Sequence, residues 1–211
     1  MRPLPAPVLV IGAGGHALVV IEALRAMGRP VAGLLDDGAP RGPLLGCAVL
    51  GTTDKLPELR RQGLAEAAVA VGDNQARARL GALAESAGFG LPVVLHPSAI
   101  VSPSAMIGAG CQVMARAVVG PQARLGRLVL VNTGAIVEHE CRLEDAVHLG
   151  PGAVLCGGVT VGARSLVAAA AVVRPGVALG AGVLVAPGAA LGGPIADGAR
   201  VGGVPARPLP E

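Results

Sequence analysis

Aromatic side chains are almost missing from this chain of 211 residues: Trp and Tyr are absent, and Phe89 is the single Phe. The interior must therefore be built from Ala, Val, Leu and Gly, which suits regular stacking of small and branched side chains better than an irregular core. The absence also removes the platforms on which single-stranded nucleic acids stack. Lysine is nearly absent too. Lys55 stands alone, and the formal charge of +3 rests on scattered Arg without a dense basic run. That excess tolerates anionic ligands but does not mark a nucleic-acid partner. Cys47, Cys111, Cys141 and Cys156 show no CxxC spacing. They read as small buried residues in a reducing compartment, not as a disulfide set or a metal site. No apolar run free of glycine and charge is long enough to span a bilayer. The opening "MRPLPAPVLVIGAGGHA" passes from a short apolar run straight into glycines, as a first strand does and a signal peptide does not. A cytoplasmic protein without membrane insertion is expected.

What is present falls into two halves. Apolar residues reach 52%, enough to bury one large or two small cores. Residues 7–95 alternate strand and helix signals. "PVLVIGAGG", "PVAGLLDDG", "EAAVAVGDN" and "LPVVLHPSA" read as strands; "HALVVIEALRAMG", "DKLPELRRQG" and "QARARLGALAESAG" read as helices. This alternation predicts a small Rossmann-like α/β domain over residues 1–95. Beyond it a period of six takes over. From Ala99 to Pro194 the chain divides into sixteen unbroken hexads, from AIVSPS and AMIGAG through AIVEHE, CRLEDA, VHLGPG and AVLCGG to AALGGP. Every third place is Val, Ile or Leu, and every first place is Ala, Val, Cys or Ser. Such regularity predicts a parallel β-helix over residues 96–211, in which the branched residue points inward and stacks on its equivalent one coil on.

The hexads resemble those of the hexapeptide-repeat acyltransferases, and further motifs narrow the likeness. "GAGGHALVVIEAL", "LLDDG", "AVGDNQARARLG", "LHPSAIVSPSA", "NTGAIVEHECRLEDAVHLGPGAVLCGGVTVG" and a closing "GVPAR" occur in the order shown by sugar acetyltransferases of the sialic acid O-acetyltransferase type. That group includes bacterial UDP-4-amino-sugar and GDP-perosamine N-acetyltransferases. The resemblance implies a left-handed parallel β-helix with three hexads per coil, against the usual right-handed crossover. It also implies a homotrimer with active sites between subunits, and acetyl-CoA as co-substrate without a metal.

The cluster Glu138-His139-Glu140 carries the chemistry. His139 holds the fifth place of its hexad, so its imidazole is expected outside the coil. Taken alone, an exposed histidine between two acids could be a solvated corner. Acyl transfer to an amine or hydroxyl, however, needs a group that takes a proton near neutral pH. Either flanking carboxylate could bond the other ring nitrogen; the resemblance assigns that role to Glu140 and leaves Glu138 as a solvated neighbour or sugar contact. Eighteen residues past His139, one coil on, lies Gly157. A glycine there would leave room for the thioester, and its N–H could meet the oxyanion. Gly158 serves the turn. His148 lies nine residues on, on a different side, and could share a pocket with His139 only across subunits. The resemblance makes it an acetyl-CoA contact together with Gly157, Ala169 and Gly188; an interface histidine and plain hexad filling are the alternatives. Asn132 and Thr133 are candidate polar contacts to sugar or subunit. Cys141 could form a covalent acetyl intermediate, but its first-place position and acidic neighbours favour direct transfer. His96 reads as structural.

"GAGGHA" between a strand and a helix, with Asp36 and Asp37 about twenty residues on, fits a dinucleotide fingerprint. The domain is too short for a two-half dinucleotide fold, and no hydride-transfer machinery accompanies it. A nucleotide-sugar site is the better expectation. Gly14, Gly15 and His16 would hold phosphate or sugar, Asp36 and Asp37 would accept hydrogen bonds from base or ribose, and Gly72 would line the pocket. The expected activity is acetyl transfer to the amine of a nucleotide-linked amino-deoxy sugar. O-acetylation of a sialic or nonulosonic acid, and a non-catalytic trimeric module that binds nucleotide sugar, remain as alternatives.

Overall fold

Glycine-bounded helices and short branched runs build the first half of the chain, and six-residue steps build the second. The computed structural model describes residues 5–38 and 42–210, and it divides the chain into two compact units, Met1–Pro97 and Ser98–Glu211.

In the first unit, β1 (Val8–Ile11) is buried along its whole length, as a strand covered on both faces should be. It is followed by α1 (Gly15–Ala26), β2 (Val31–Leu35), β3 (Val49–Gly51), α2 (Leu56–Arg61), β4 (Glu66–Val69) and α3 (Asn74–Ser86). The sheet order is β3-β2-β1-β4, all parallel. Winding runs outward from β1 through β2 to β3 and then returns to β4 on the other side of β1. That reversal opens a crevice at the carboxyl ends of the strands. Gly12 makes the close approach there possible: at φ +112, an added Cβ would lie 2.7 Å from the Ala70 carbonyl oxygen. β3 is absent from the sequence reading because it is a three-residue edge strand with no fully buried residue. The last expected strand shrinks to Val94–Leu95, outside this sheet, because Pro92 and Pro97 confine it.

In the second unit, each of the sixteen hexads forms a two-residue strand at its second and third places. Three faces result. The first runs from Ile100–Val101 through Ile136–Val137 and Val154–Leu155 to Ala190–Leu191, the second from Met106–Ile107 through Arg142–Leu143 to Ala178–Leu179. The third includes Gln112–Val113, Leu130–Val131, His148–Leu149 and Leu184–Val185. Partners are eighteen residues apart, as in Ile136 with Val154 and His148 with Leu166. Third-place residues from Val113 to Leu191 are buried; Val101 and Ile107 at the open end are half-buried. Each full burial of such a side chain contributes about 1.5–3 kcal/mol. Leu155→Ala, which empties one rung, is expected to cost ~2–5 kcal/mol in a denaturant melt.

First-place thiols and hydroxyls are donors inside this wall. Cys111 Sγ donates to the Gly126 carbonyl at 2.9 Å, Cys141 Sγ to Cys156 at 3.1 Å and Ser165 Oγ to Gly180 at 2.7 Å. All four cysteines are free thiols. The corners show a second regularity. Sixth-place residues from Gly110 to Gly188 adopt the left-handed region, including Arg116, Gln122, Leu128, Glu140, Ala146, Arg164 and Ala170. The eighteen-residue spacing ends after Pro194. Leu184 pairs with Arg200, sixteen residues on, so the helix continues past the last hexad with two residues dropped at a corner. Arg207–Pro208 then folds back antiparallel on Arg200–Gly202 and covers the open edge.

Candidate active site

His139 occupies the corner between the first and second faces. Its side chain is 57% exposed, and Nδ1 lies 3.0 Å from Glu140 Oε2. A carboxylate at Nδ1 holds the ring proton on that nitrogen and leaves the Nε2 lone pair available. The neighbouring residue reaches the ring because Glu140 sits at φ +59, a conformation that turns its side chain back along the corner. For a residue other than glycine this costs roughly 1–2 kcal/mol. An exposed ion pair contributes little to stability in return. Glu140→Gly is therefore expected to leave the melting temperature unchanged or raise it, while kcat falls about 10- to 100-fold, the worth of one charge-assisted hydrogen bond. Glu138, also exposed, is bonded to neither ring nitrogen.

Gly157 lies directly over the imidazole. A Cβ built on it would come within 2.4 Å of His139 Cε1 and 2.5 Å of Nε2. The glycine is thus required by the ring itself, a nearer reason than room for a thioester. Gly158 N–H donates to the His139 carbonyl at 2.9 Å and ties the two turns together. The Gly157 N–H finds no acceptor among the described residues. Other fifth-place N–H groups are capped by acids: Arg127 by Asp145, Ala163 by Glu144, Ala181 by Asp197. Close by, burial pushes the Cys141 thiol up from its ordinary value, and Glu138 adds to the rise. The thiol is protonated and faces the Cys156 carbonyl, which makes it a poor nucleophile.

The remaining candidates of this unit lie elsewhere. His148 is half-buried on the third face, with Nε2 3.4 Å from Asn132 Nδ2. Asn132 Oδ1 also accepts from the Thr133 N–H at 2.8 Å. Along the corner between the third and first faces, Gly152 N–H donates to Thr133, Ala170 N–H to Pro151, and Gly188 N–H to Ala169. The candidates therefore occupy the two opposite edges of the first face: His139, Glu140 and Gly157 on one, Asn132, Thr133, Ala169 and Gly188 on the other. Between them runs a stripe that hexad counting overlooks. The outward second-place residues of this face are Ile100, Val118, Ile136, Val154, Val172 and Ala190, and Ile100 is 67% exposed. Reading the second place of every third hexad reveals it.

In the first unit, Gly14 and Gly15 have open space where a Cβ would be. Gly14 caps α1 without a side-chain bond, and no acid stands in the first turn, so the amino end of the helix suits an anion. His16 is the second residue of α1. Asp36 and Asp37 already have backbone partners. Asp36 accepts from the Ala13 N–H at 2.5 Å and the Gly38 N–H at 2.8 Å. Asp37 accepts from Thr53 N–H at 2.7 Å and Thr53 Oγ1 at 3.1 Å. Each carboxylate keeps about two of its four lone-pair positions. Gly72 is held from below, where the fully buried Arg77 donates from Nη1 to its carbonyl at 2.9 Å. A cavity of about 160 Å³ is lined by Gly12, Asp36, Asp37, Thr53 and also Arg79, which the sequence reading did not single out. Its signal was weak, one of two Arg in "NQARAR". Among the described residues no cluster of His, Cys, Asp and Glu could hold a metal, and no helix is long and apolar enough to cross a membrane.

The PglD N-terminal domain family matches residues 7–82. No curated protein matches the chain. Among solved structures it is similar to a histidine-to-alanine mutant of GDP-perosamine N-acetyltransferase from Caulobacter crescentus in complex with CoA and GDP-perosamine, with 44% identity over 98% of each chain and a TM-score of 0.96. The acetyltransferase domain of PglB from Neisseria gonorrhoeae, in complex with acetyl coenzyme A, is 41% identical over 97% of this chain and 100% of its own, with a TM-score of 0.91. WeeI from Acinetobacter baumannii, 21% identical over 97% of this chain and 100% of its own, shares the fold at a TM-score of 0.76.

Proposed function

As a member of the hexapeptide-repeat sugar acetyltransferases, the chain is a CoA-dependent acetyltransferase, and we propose that its acceptor is the amine of a nucleotide-linked amino-deoxy sugar. The observation that carries this reading is the His139–Glu140 pair under Gly157. His139 Nε2 takes the proton as the amine attacks the thioester carbonyl, and Glu140 stabilises the imidazolium that forms. The uncapped Gly157 N–H donates to the developing oxyanion. When the intermediate collapses, the C–S bond breaks, the amide remains on the sugar, and the imidazolium returns its proton to the departing thiolate of CoA.

The other half of the site comes from a second subunit. A homotrimer closed through the first face would bury the stripe from Ile100 to Ala190, which is otherwise a costly exposure. It would set the His139 edge of one subunit against the Ala169–Gly188 edge of the next. Small residues on that edge leave passage for the pantetheine arm, and His148 and Asn132 supply polar contacts. Light scattering is expected to give three times the chain mass; Ile136→Asp should drop it to the monomer and abolish turnover. In the first unit, Gly14, Gly15 and His16 receive the diphosphate, with Asp36, Asp37 and Gly72 around the nucleoside. The crevice favours a nucleotide-linked acceptor over a free sialic acid, which has no diphosphate to place. Four free thiols suit a reducing, cytoplasmic setting. The test is CoA release with a panel of GDP-, UDP- and dTDP-linked 4-amino sugars beside free sialic acids. Turnover confined to nucleotide-linked amines is expected; turnover of free sialic acids alone would overturn the reading.

A further inference from the structure

Cys141 is fully buried beside the His139 corner and takes no part in the proton transfers described above, yet its hydrogen bond reaches the peptide that carries the oxyanion donor. Its Sγ donates to the Cys156 carbonyl at 3.1 Å, and that carbonyl shares a peptide plane with the Gly157 N–H. In a planar trans peptide the C=O and N–H point in opposite directions. A carbonyl drawn inward by the thiol therefore sends the Gly157 N–H outward, where it finds no acceptor among the described residues.

The same device recurs along the coil. Ser165 Oγ donates to the Gly180 carbonyl at 2.7 Å and accepts from the Val183 N–H at 2.9 Å. The hydroxyl thus sits inside a turn whose own carbonyl and amide do not meet. Cys141 does the same one coil earlier. The Cys156 carbonyl and the Val159 N–H, which a closed turn would join, have no backbone partner among the described residues, and the Val159 N–H faces the sulfur. Cys111 holds the Gly126 carbonyl in this way at 2.9 Å. Alanine gives the contrast. Ala99, Ala117 and Ala135 stand at the equivalent places before Met114, Asn132 and Gly150, and those three turns close on themselves at 3.1, 3.0 and 3.1 Å.

What differs at Gly157 is the fate of the outward N–H. At the other two wedged corners an acid from the next coil caps it: Arg127 donates to Asp145 and Ala181 to Asp197. The place one coil on from Gly157 is Pro175, which has no carboxylate to offer. We propose that Cys141 is a positioning residue for acetyl transfer: its thiol wedges the turn open and fixes the Cys156–Gly157 peptide so that the Gly157 N–H meets the developing oxyanion. The inference rests on the reading of that N–H as the oxyanion donor. Without the wedge the turn closes, as it does after Ala99 and Ala117, and the donor moves with it. Loss of an oxyanion donor costs ~10²- to 10³-fold in rate, and a displaced donor costs part of that.

The experiment compares steady-state kinetics and thermal melting of Cys141→Ala, Cys141→Ser and Ser165→Ala with the wild type and His139→Ala. Cys141→Ala should lower kcat about 10- to 100-fold with both KM values unchanged, because the oxyanion exists only in the transition state. Cys141→Ser supplies a hydroxyl donor of the kind Ser165 provides and should recover most of that rate, a rescue that a packing role for the sulfur would not give. Ser165→Ala removes the same wedge at a corner whose N–H is already capped. It should lower the melting temperature by about 2–4 °C while kcat holds. Wild-type kcat in Cys141→Ala would overturn the proposal. So would an equal loss of kcat in Ser165→Ala, or a folded Cys141→Ser enzyme as slow as the alanine variant. A His139→Ala enzyme that keeps its rate would instead overturn the reading of the site itself.

Discussion

Replacing His139 with alanine is expected to lower kcat for acetyl transfer by about three orders of magnitude, within the ~10²- to 10⁴-fold range for a positioned general base. The side chain is mostly outside the coil, and the inward place of its hexad belongs to Val137, which is fully buried. Loss of the imidazole therefore removes no packing, and the melting temperature should stay within a few degrees. KM for both substrates should change little, because the ring acts on the proton that leaves during attack and not on either ground state. A variant with near wild-type turnover would remove His139 from the mechanism.

Gly157→Ala is expected to reduce kcat by roughly 10²-fold without unfolding the coil. Gly157 does not occupy the left-handed region, so alanine strains nothing in the backbone. Its methyl group would stand 2.4 Å from His139 Cε1, and one of the two must move. The exposed imidazole moves at little cost; the wall it rests on cannot. A ring swung off the glycine loses its alignment with Glu140, and a displacement of about 1 Å from productive geometry is enough for a loss of this size. The contrast with Gly158 separates this account from general corner damage. Gly158 holds φ +70, so alanine there should cost stability while leaving the ring in place. A Gly157→Ala enzyme with full activity would show that the stacking has no catalytic consequence.

Much of this geometry was legible because a six-residue period is a rigid rule. Once eighteen residues make a coil, His139 and Gly157 must be vertical neighbours, and Val137 and Leu155 must stack inside. The outward imidazole follows from the fifth place alone. The rule fails where the chain leaves it: the final coil, shortened to sixteen residues between Leu184 and Arg200, cannot be counted in sixes. The first unit was less readable, since its cues are local. β3 has too few residues for a pattern, and the double engagement of Asp36 and Asp37 with Ala13, Gly38 and Thr53 depends on strands far apart in sequence. The reason for Gly157 also needed coordinates. Spacing placed it above the base, but only the ring's orientation shows that the imidazole itself occupies the missing side chain's volume. The aliphatic stripe from Ile100 to Ala190 was readable in principle, at every third hexad.

The most direct measurement is a crystal structure of the protein with CoA and a GDP-linked 4-amino sugar. It should place the sugar amine about 2.6–3.2 Å from His139 Nε2, with the CoA sulfur beside Gly157 and its pantetheine arm along a neighbouring subunit's Ala169–Gly188 edge. An amine held away from His139, or CoA bound on a face remote from that corner, would contradict the account.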